Sequence, residues 1–293
     1  MKIMVLGASG YIGHLLVKEL KKNKKNRVIV IIRESTKFDF SQLGIEKKDI
    51  WLFDKIEKNF KQCNERIDIF INCCCKYQLD NSIVQNLDIL DANFYVPMKA
   101  FLYSMEYGIK NYITLDTSLP ANINFYAKTK EEFANMLKWS VNKEQSGKNV
   151  LHVCNILLEN YYGENEPSYR FLPSIIKKMK SNNEIFLTEG NQKRDFIYVG
   201  DVVKAVIVII NYLVNYSENE ALYMDLPLGS GEMVSIREVV SYLHEIINSK
   251  SILHFGAIPK RENEPSTVAD LTIGKKIGIE IEYNWKQGMK KII

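Results

Sequence analysis

The feature that most constrains the fold is a set of three glycines, spaced three residues apart, near the start of the chain. Gly7, Gly10 and Gly13 follow the apolar run KIMVL and lead directly into the amphipathic stretch YIGHLLVKEL. Glycines at this spacing between a strand and a helix let the backbone approach a pyrophosphate and direct amide groups at it. The chain is therefore predicted to begin with the strand-turn-helix unit of a dinucleotide-binding domain.

The first half of the chain alternates short β-branched runs with longer amphipathic stretches. The apolar runs lie near 2–7, 27–33, 50–53, 67–75 and 110–116, and helical patterns lie at 11–20, 93–107 and 125–141. This alternation predicts an α/β fold, a Rossmann doubly wound parallel sheet with helices on both faces. The strands are apolar throughout, as expected when helices cover both faces of a sheet.

The pattern changes near residue 150, which predicts two lobes. Residues 1–155 are predicted to form the NADP(H)-binding Rossmann domain, and residues 156–293 mainly a smaller mixed α/β C-terminal substrate-binding lobe. A polar and aromatic loop is predicted through Tyr162 and Gly163. The apolar helical run DVVKAVIVIINYLV predicts that segments near 192–215 pack back on the sheet.

Composition excludes several classes of protein. The chain has 293 residues and a formal charge of +4, too little for a nucleic-acid-binding surface. Its start lacks the long apolar stretch of a signal peptide or membrane span, so a cytoplasmic location without membrane contact is predicted. Scattered histidines predict no metal site, and three consecutive cysteines do not suit a disulfide framework.

Cofactor choice is read from the end of the second strand. An NAD-selective site usually presents Asp or Glu there to the adenosine ribose, whereas Arg33 suits a 2′-phosphate. NADP(H) is therefore predicted over NAD(H). Glu34 is adjacent, so a one-residue shift would reverse this choice, and Arg33 as a surface cation is the alternative. Asp54, after the third strand, can accept a hydrogen bond from the adenine amino group.

Tyr126 and Lys130 are the candidate acid/base pair. They lie four residues apart in NFYAKTKEEF, which on a helix places both on one face. A nearby ammonium favours the ionised form of a phenol, whose reference pKa is about 10. Thr117, at the end of the strand NYITLDT, is predicted to hydrogen-bond the substrate oxygen, with Ser118 as the fallback. The alternative for Thr117 is a local bond at the strand end.

The motifs GASGYIG, YAKTK and RDFIYVGDVV, in this order, make the chain resemble the extended short-chain dehydrogenase/reductase family, which is also the NAD-dependent epimerase/dehydratase family. The segments LDTSLP, LLENYYGENE and FGAIPKRENEP are similar to those of reductases of the CDP-abequose synthase type. This resemblance implies an enzyme that uses NADPH to reduce the 4-keto group of a nucleotide-linked deoxysugar for surface polysaccharide synthesis.

The resemblance also implies roles for individual residues. Tyr126 becomes the proton donor, Lys130 its electrostatic partner and the anchor of the nicotinamide ribose, and Thr117 the second hydroxyl. The residues that hold the pyrophosphate are Gly7, Ser9, Gly10, Tyr11, Ile12 and Gly13. Cys73 and Cys74 lie beside the cofactor in the CCC segment, where they serve packing and not redox chemistry. Asn93 is structural.

Substrate and subunit contacts follow from the same resemblance. Arg194 and Arg261 match positions that contact the nucleotide diphosphate in relatives, and guanidinium suits bidentate phosphate recognition. A surface ion pair is the alternative for each. Relatives commonly form homodimers through the helix that carries the tyrosine. A homodimer is therefore predicted, and the apolar stripe of that helix, which core packing also explains, consists of Phe133, Met136, Leu137 and Val141.

The chain departs from the family pattern in two ways. Only eight residues separate Thr117 from Tyr126, far fewer than in most extended relatives, so the sugar pocket must be covered differently. Ser118 and Leu119 occupy the place of the acidic pair of dehydratases, which argues against water elimination. A sugar-nucleotide epimerase using NAD and a non-catalytic NADP-binding sensor stay open as alternatives to the reductase.

Overall fold

A computed structural model describes residues 1–144, 150–216, 220–259 and 265–293. The chain forms two compact units, each built from two stretches of sequence. The first unit contains Met1–Leu157 and Ala205–Leu226, and the second contains Leu158–Lys204 and Pro227–Ile293.

The first unit is built on a seven-stranded sheet with the strand order β10-β6-β5-β4-β1-β2-β3. Its strands are β1 Lys2–Leu6, β2 Arg27–Ile32, β3 Ile50–Leu52, β4 Ile69–Asn72, β5 Asn111–Thr117, β6 His152–Leu158 and β10 Leu222–Leu228. The pairs β5-β4, β4-β1, β1-β2 and β2-β3 are parallel. The predicted Rossmann doubly wound parallel sheet is thus confirmed.

Helices connect the strands of this unit. They are α1 Tyr11–Lys22, α2 Ile56–Gln62, α3 Ile83–Leu90, α4 Val96–Glu106, α5 Phe125–Glu144 and α7 Val199–Val214, the last crossing the unit boundary at Ala205. A π-helical turn, Asp91–Tyr95, joins α3 to α4. The sequence pattern predicted a helix only from residue 93 and so did not predict α3. Most apolar side chains of α3 are exposed, so their spacing does not mark a buried face.

The core of the first unit lies between the apolar strands and the buried faces of the helices. Ile3, Met4 and Val5 of β1 are fully buried, as a strand covered on both faces requires. In α5, Phe133 and Leu137 belong to this core, as does Val141, and Met136 is half-buried. The stripe therefore does not form the subunit interface predicted for it, and core packing is the correct interpretation.

In the residues that the structure describes, the second unit contains two small sheets and four helices, besides the first residues of α7. One sheet has the order β11-β9-β7, and β8 pairs in parallel with β12 in the other. The strands are β7 Asn160–Tyr162, β8 Ile185–Leu187, β9 Lys193–Tyr198, β11 Met233–Ser235 and β12 Leu253–Phe255, and the helices are α6 Phe171–Lys180, α8 Ile236–Ile247, α9 Thr272–Lys276 and α10 Trp285–Lys291. Because β7 runs parallel to β9 and β11 antiparallel to it, this unit is mixed α/β as predicted.

Two predictions about this half of the chain need correction. The loop predicted through Tyr162 is a strand up to that residue, since β7 pairs with β9 and Tyr162 is fully buried. The segment predicted to return near 192–215 does so only from residue 205, since residues 205–226 belong to the first unit. The reason is that β9 pairs with β7 and β11, which holds the residues before 205 in the second unit.

A buried carboxylate organises the second unit. The side chain of Asp195 on β9 accepts hydrogen bonds from the backbone N–H groups of Ser230, Gly231 and Ala269 at 2.7, 2.9 and 3.2 Å, and from the Ser230 hydroxyl at 2.6 Å. A fully buried charge is tolerated when donors satisfy its oxygen atoms in this way. Asp195 thus fastens two distant loops to β9.

Within the described ranges, every helix is too short or too polar to cross a lipid bilayer.

Candidate active site

The glycine turn between β1 and α1 has no room for side chains. Gly7 has a φ of +76°, and a Cβ atom there would lie 2.7 Å from the backbone nitrogen of Cys74, which follows the neighbouring strand β4. A Cβ atom at Gly13 would lie 2.2 Å from the carbonyl oxygen of Gly7. The turn is therefore pressed between α1 and the end of β4, where the backbone itself forms the surface.

The first turn of α1 suits an anion. Gly10 precedes the helix and provides no side-chain cap, and no acidic side chain occupies the first turn. The N–H groups at a helix start lack intrahelical partners and carry the positive end of the helix dipole. Ser9 lies in the turn before the helix, and Tyr11 and Ile12 are the first two residues of the helix. The residues present fit a dinucleotide pyrophosphate, and that they hold one stays a prediction.

The residues predicted to choose the cofactor lie at the ends of β2 and β3. Arg33 directly follows β2 and is exposed, and its guanidinium makes no hydrogen bond or ion pair with the residues that the structure describes. Glu34 beside it is exposed as well. Asp54 lies in an exposed helical turn after β3. Arg33 is thus available to a phosphate, and the one-residue ambiguity with Glu34 persists.

Lys130 fastens α5 to the ends of two strands. The side chain is 2% exposed, and its Nζ donates hydrogen bonds to the carbonyl oxygens of Cys74 at 2.9 Å and Leu115 at 2.8 Å. Cys74 follows β4 and Leu115 lies in β5. An ammonium has three donors, so one is left for a ligand. The position of this charge is fixed by the backbone and not by a mobile side chain.

Tyr126 lies one helical turn before Lys130, against the same strand end. It is 4% exposed, and its Oη contacts the Cys75 thiol, with 3.9 Å between Sγ and Oη. The ring stacks on Tyr77, with 5.1 Å between ring centroids and 26° between ring planes. The sequence prediction that Tyr126 and Lys130 share a face of α5 agrees with this arrangement, since both meet the residues that follow β4.

Thr117 is the last residue of β5 and is half-buried. Its Oγ1 accepts a hydrogen bond from the N–H group of Leu119 at 3.2 Å, which is the local bond foreseen as the alternative. Leu119 packs in an apolar cluster with Tyr126 and Tyr77, so the turn after β5 lies beside the tyrosine. Because the bond to Leu119 uses a lone pair, the hydroxyl hydrogen of Thr117 can still be donated to a substrate oxygen.

The sequence analysis missed a polar network directly before Thr117. Asn155 Nδ2 donates to Asp116 Oδ2 at 3.1 Å and to Asp225 Oδ1 at 2.8 Å, and Asp116 Oδ1 accepts the N–H group of Thr117 at 2.8 Å. Burial raises the pKa of Asp116, and the charge of Lys130 opposes that rise. In the sequence, this network is indicated by Asp116, the acidic residue of the predicted strand NYITLDT, because a buried charge requires partners.

The three consecutive cysteines differ in environment. Cys73 is buried, its N–H group donates to the carbonyl oxygen of Leu6 at 2.9 Å, and burial raises the pKa of its thiol to about 12. Burial also raises the pKa of Cys74 to about 12, against the charges of Lys130 and Arg33. Thiols with such pKa values are poor nucleophiles at neutral pH, so Cys73 and Cys74 are packing residues.

Asn93, which the resemblance implied to be structural, ties the π-helical turn to the chain that follows β4. Its Oδ1 accepts the N–H group of Lys76 at 2.8 Å, and its Nδ2 donates to the Lys76 carbonyl at 3.1 Å.

In the part of the chain that the structure describes, no three His, Cys, Asp or Glu side chains come together as a metal-binding group.

The structure describes one of the two predicted substrate arginines. Arg194 lies on β9 in the second unit and is buried, and its Nη1 donates to the carbonyl oxygens of Lys193 and Pro265. Arg261 lies outside the described residues. Phosphate recognition by either arginine stays a prediction.

Comparison with known proteins agrees with this geometry. CDP-abequose synthases of Salmonella typhimurium and Salmonella muenchen are 28% and 26% identical to the chain, covering 99% and 100% of it and 97% of each relative. A crystal structure of UDP-glucuronic acid 4-epimerase from Bacillus cereus, in complex with UDP-glucuronic acid and NAD, is 17% identical, with a TM-score of 0.80 over 99% of this chain and 97% of that one. The NAD dependent epimerase/dehydratase family matches residues 3–223, which include the glycine turn and Thr117, Tyr126 and Lys130, and the chain belongs to this family.

Proposed function

We propose that the protein is an NADPH-dependent 4-ketoreductase of a nucleotide-linked deoxysugar. The observation that supports this most directly is the pair of hydrogen bonds from Lys130 to the carbonyls of Cys74 and Leu115. These bonds hold α5, and with it Tyr126, at the carboxyl ends of β4 and β5. The glycine turn closes on the same strand end, so a dinucleotide on that turn and the phenol of Tyr126 would meet there.

The chain's own residues supply the proton and its environment. When bound, the reduced dinucleotide supplies the hydride that is added to C4 of the sugar and is itself oxidised. Tyr126 donates its phenolic proton to the C4 oxygen, so that the C=O bond becomes C–O–H and a phenolate remains to be reprotonated from solvent. The ammonium of Lys130 favours that phenolate electrostatically, and the Thr117 hydroxyl orients the substrate oxygen.

The substrate class rests on sequence similarity. The CDP-abequose synthases match over nearly the whole chain, which favours a CDP-4-keto-3,6-dideoxyhexose-like substrate and a role in surface polysaccharide biosynthesis. Carriers with dTDP, GDP or UDP are the alternatives. Ser118 and Leu119 after Thr117 provide no acid or base for water elimination, which argues against a dehydratase.

The second candidate is a sugar-nucleotide epimerase that retains NAD(H). The same three residues serve it, because proton exchange at a sugar hydroxyl is common to both reactions. Arg33 and the short connection between Thr117 and Tyr126 favour the reductase.

Oxidation of NADPH followed at 340 nm tests the proposal, with CDP-, dTDP-, GDP- and UDP-linked 4-keto-6-deoxy and 4-keto-3,6-dideoxy sugars as substrates. We expect turnover with one carrier. Interconversion of unreduced sugar nucleotides without net oxidation would establish the epimerase instead. Neither reaction, together with tight NADPH binding, would favour a non-catalytic sensor.

Arg33 is expected to select NADPH. Replacing Arg33 with alanine removes the one guanidinium at the end of β2 and should weaken NADPH binding roughly 10- to 100-fold, the value of a hydrogen bond to a charged group, with little change for NADH. Titration of both cofactors measures this. Glu34→Ala is the matched control and should leave NADPH binding unchanged. A loss of NADH affinity in Glu34→Ala, with NADPH binding unchanged in Arg33→Ala, would show that the acidic residue selects NADH instead.

We also propose a homodimer, through a surface different from the stripe of α5. Ile83 and Leu87 of α3 are 78% and 60% exposed, and Val84 between them is exposed too. Trp139 of α5 is also exposed. We infer that a second copy of the chain covers the apolar face of α3 across a two-fold axis.

Leu87→Glu should therefore convert the dimer to monomer, because it would bury a charge in the interface. Light scattering at micromolar concentration measures the mass. Ile252→Glu, which places the same charge on an exposed residue of the second unit, should leave the dimer intact. A wild-type mass of one chain would exclude the proposal.

A further inference from the structure

The chain that follows β4 contacts the reactive tyrosine at three separate points. We call Cys75–Gln78 the tyrosine segment. Its Cys75 thiol contacts Tyr126 Oη at 3.9 Å, and its Tyr77 ring stacks on the Tyr126 ring. Its Gln78 Oε1 accepts the backbone N–H group of Tyr126 at 3.1 Å. The hydroxyl, the ring face and the backbone of Tyr126 each have one partner here.

These contacts restrain different motions of Tyr126. The hydrogen bond that Tyr126 N–H donates to Gln78 Oε1 satisfies an N–H group in the first turn of α5, where intrahelical partners are missing. It therefore holds the start of the helix. The stacked ring of Tyr77 limits rotation of the phenol out of its plane and excludes water from one face. Contact with Cys75 then places a side chain next to the oxygen that gives the proton.

The tyrosine segment is itself held by contacts that do not involve Tyr126. Asn93 bonds both the N–H group and the carbonyl of Lys76, and Lys76 Nζ lies 3.4 Å from the Asp88 carboxylate. Immediately after the segment, Gln85 Oε1 on α3 accepts the N–H groups of residues 79 and 80 at 2.5 and 2.6 Å. The segment is therefore a fixed element on α3 and the π-helical turn.

The short connection between Thr117 and Tyr126 gives this segment its significance. Eight residues link the two, and most of them are used by the turn after β5 and the start of α5. Within this connection, Leu119 packs against the cluster that contains Tyr126. The tyrosine segment, which arrives from β4, adds contacts to the hydroxyl, the ring and the backbone of Tyr126.

We propose that the tyrosine segment is the positioning element of the active site, in which Tyr77 and Gln78 orient the phenol and Cys75 contacts its reacting oxygen. This proposal rests on the proposed function in that Tyr126 is the proton donor. It assigns to residues after β4 the contacts that orient Tyr126, beside the apolar contact that Leu119 makes after β5.

Kinetics of Tyr77 variants provide the first test. Tyr77→Ala should lower kcat about 10- to 100-fold, the cost of a small misplacement of a catalytic group, while the Kd of NADPH stays unchanged. Tyr77→Phe keeps the stacked ring and should restore most of kcat. Tyr103→Ala, which removes a ring on α4 that bonds Glu57 and lies outside the segment, should keep wild-type kcat. Equal losses in Tyr77→Ala and Tyr77→Phe, or no loss in Tyr77→Ala, would overturn the proposal.

Hydrogen exchange provides a test that does not depend on turnover. Tyr77→Ala and Gln78→Ala should each speed amide exchange in the first turn of α5 relative to wild type and Tyr103→Ala, because both remove a contact to Tyr126. Unchanged exchange in both variants would overturn the proposal. If the wild-type protein turns over no sugar nucleotide, the proposed reductase function is refuted. The hydrogen-exchange comparison still decides whether the tyrosine segment holds Tyr126. Gln78→Ala carries the test if Tyr77→Ala does not fold.

Discussion

Tyr126→Phe is expected to lower kcat for reduction of the keto sugar about 10²- to 10⁴-fold, the usual contribution of a positioned general acid. The variant keeps the ring that stacks on Tyr77 and loses the hydroxyl group that donates the proton. NADPH affinity should therefore change little, so that the loss appears in kcat and not in cofactor binding. Stopped-flow oxidation of NADPH and a separate fluorescence titration measure the two quantities.

Tyr103→Phe is a matched control for this experiment. It removes the same hydroxyl from a residue whose Oη donates to Glu57 at 2.8 Å, on the helices α4 and α2. Wild-type kcat is expected. A Tyr126→Phe enzyme that keeps full activity would exclude Tyr126 as the proton donor, and with it the reductase mechanism proposed for this chain.

Gly13→Ala is expected to destabilise the first unit and to impair cofactor binding at the same time. The added methyl group would lie 2.2 Å from the carbonyl oxygen of Gly7 and 3.0 Å from the Cα atom of Ala8, both backbone atoms that cannot move without opening the turn. Overpacking of this kind costs about 1–3 kcal/mol in the free energy of unfolding. Displacement of α1 would also carry its N–H groups away from the pyrophosphate.

Urea unfolding and NADPH titration measure these two effects of Gly13→Ala. Gly274→Ala in α9 is the control, because the nearest atom to its added Cβ is 3.6 Å away, an ordinary contact. Alanine has the higher helix propensity, so this control should be neutral or stabilising by roughly 0.5–1 kcal/mol. Gly13→Ala with wild-type stability and NADPH affinity would show that α1 need not pack so closely on the turn.

Local patterns were sufficient for the sheet and for the reactive pair. The three glycines predicted the turn between β1 and α1, because a tight strand-to-helix turn imposes its requirements on adjacent residues. The four-residue spacing of Tyr126 and Lys130 placed them on one face of α5 for the same reason. Apolar runs predicted β1 to β5, since strands covered on both faces are apolar at nearly every residue, but they did not predict β6 and β10.

Contacts between distant segments could not be predicted in this way. The apolar stripe of α5 has the same spacing whether it faces the core or a second subunit, and only packing showed that Phe133 and Leu137 face the core. Likewise, the apolar pattern of α7 does not reveal that the chain before Ala205 is held in the second unit by strand pairing.

The sequence by itself determined the Rossmann sheet, the glycine turn after β1 and the placement of Tyr126 and Lys130 on one face of α5, because each depends on residues a few positions apart. Tertiary structure decided that Lys130 bonds two strand ends, that Asp195 fastens the loops of the second unit, and that the tyrosine segment lies on Tyr126. The physical reason is that a hydrogen-bond partner dozens of residues away is selected by packing, and periodicity carries no record of it.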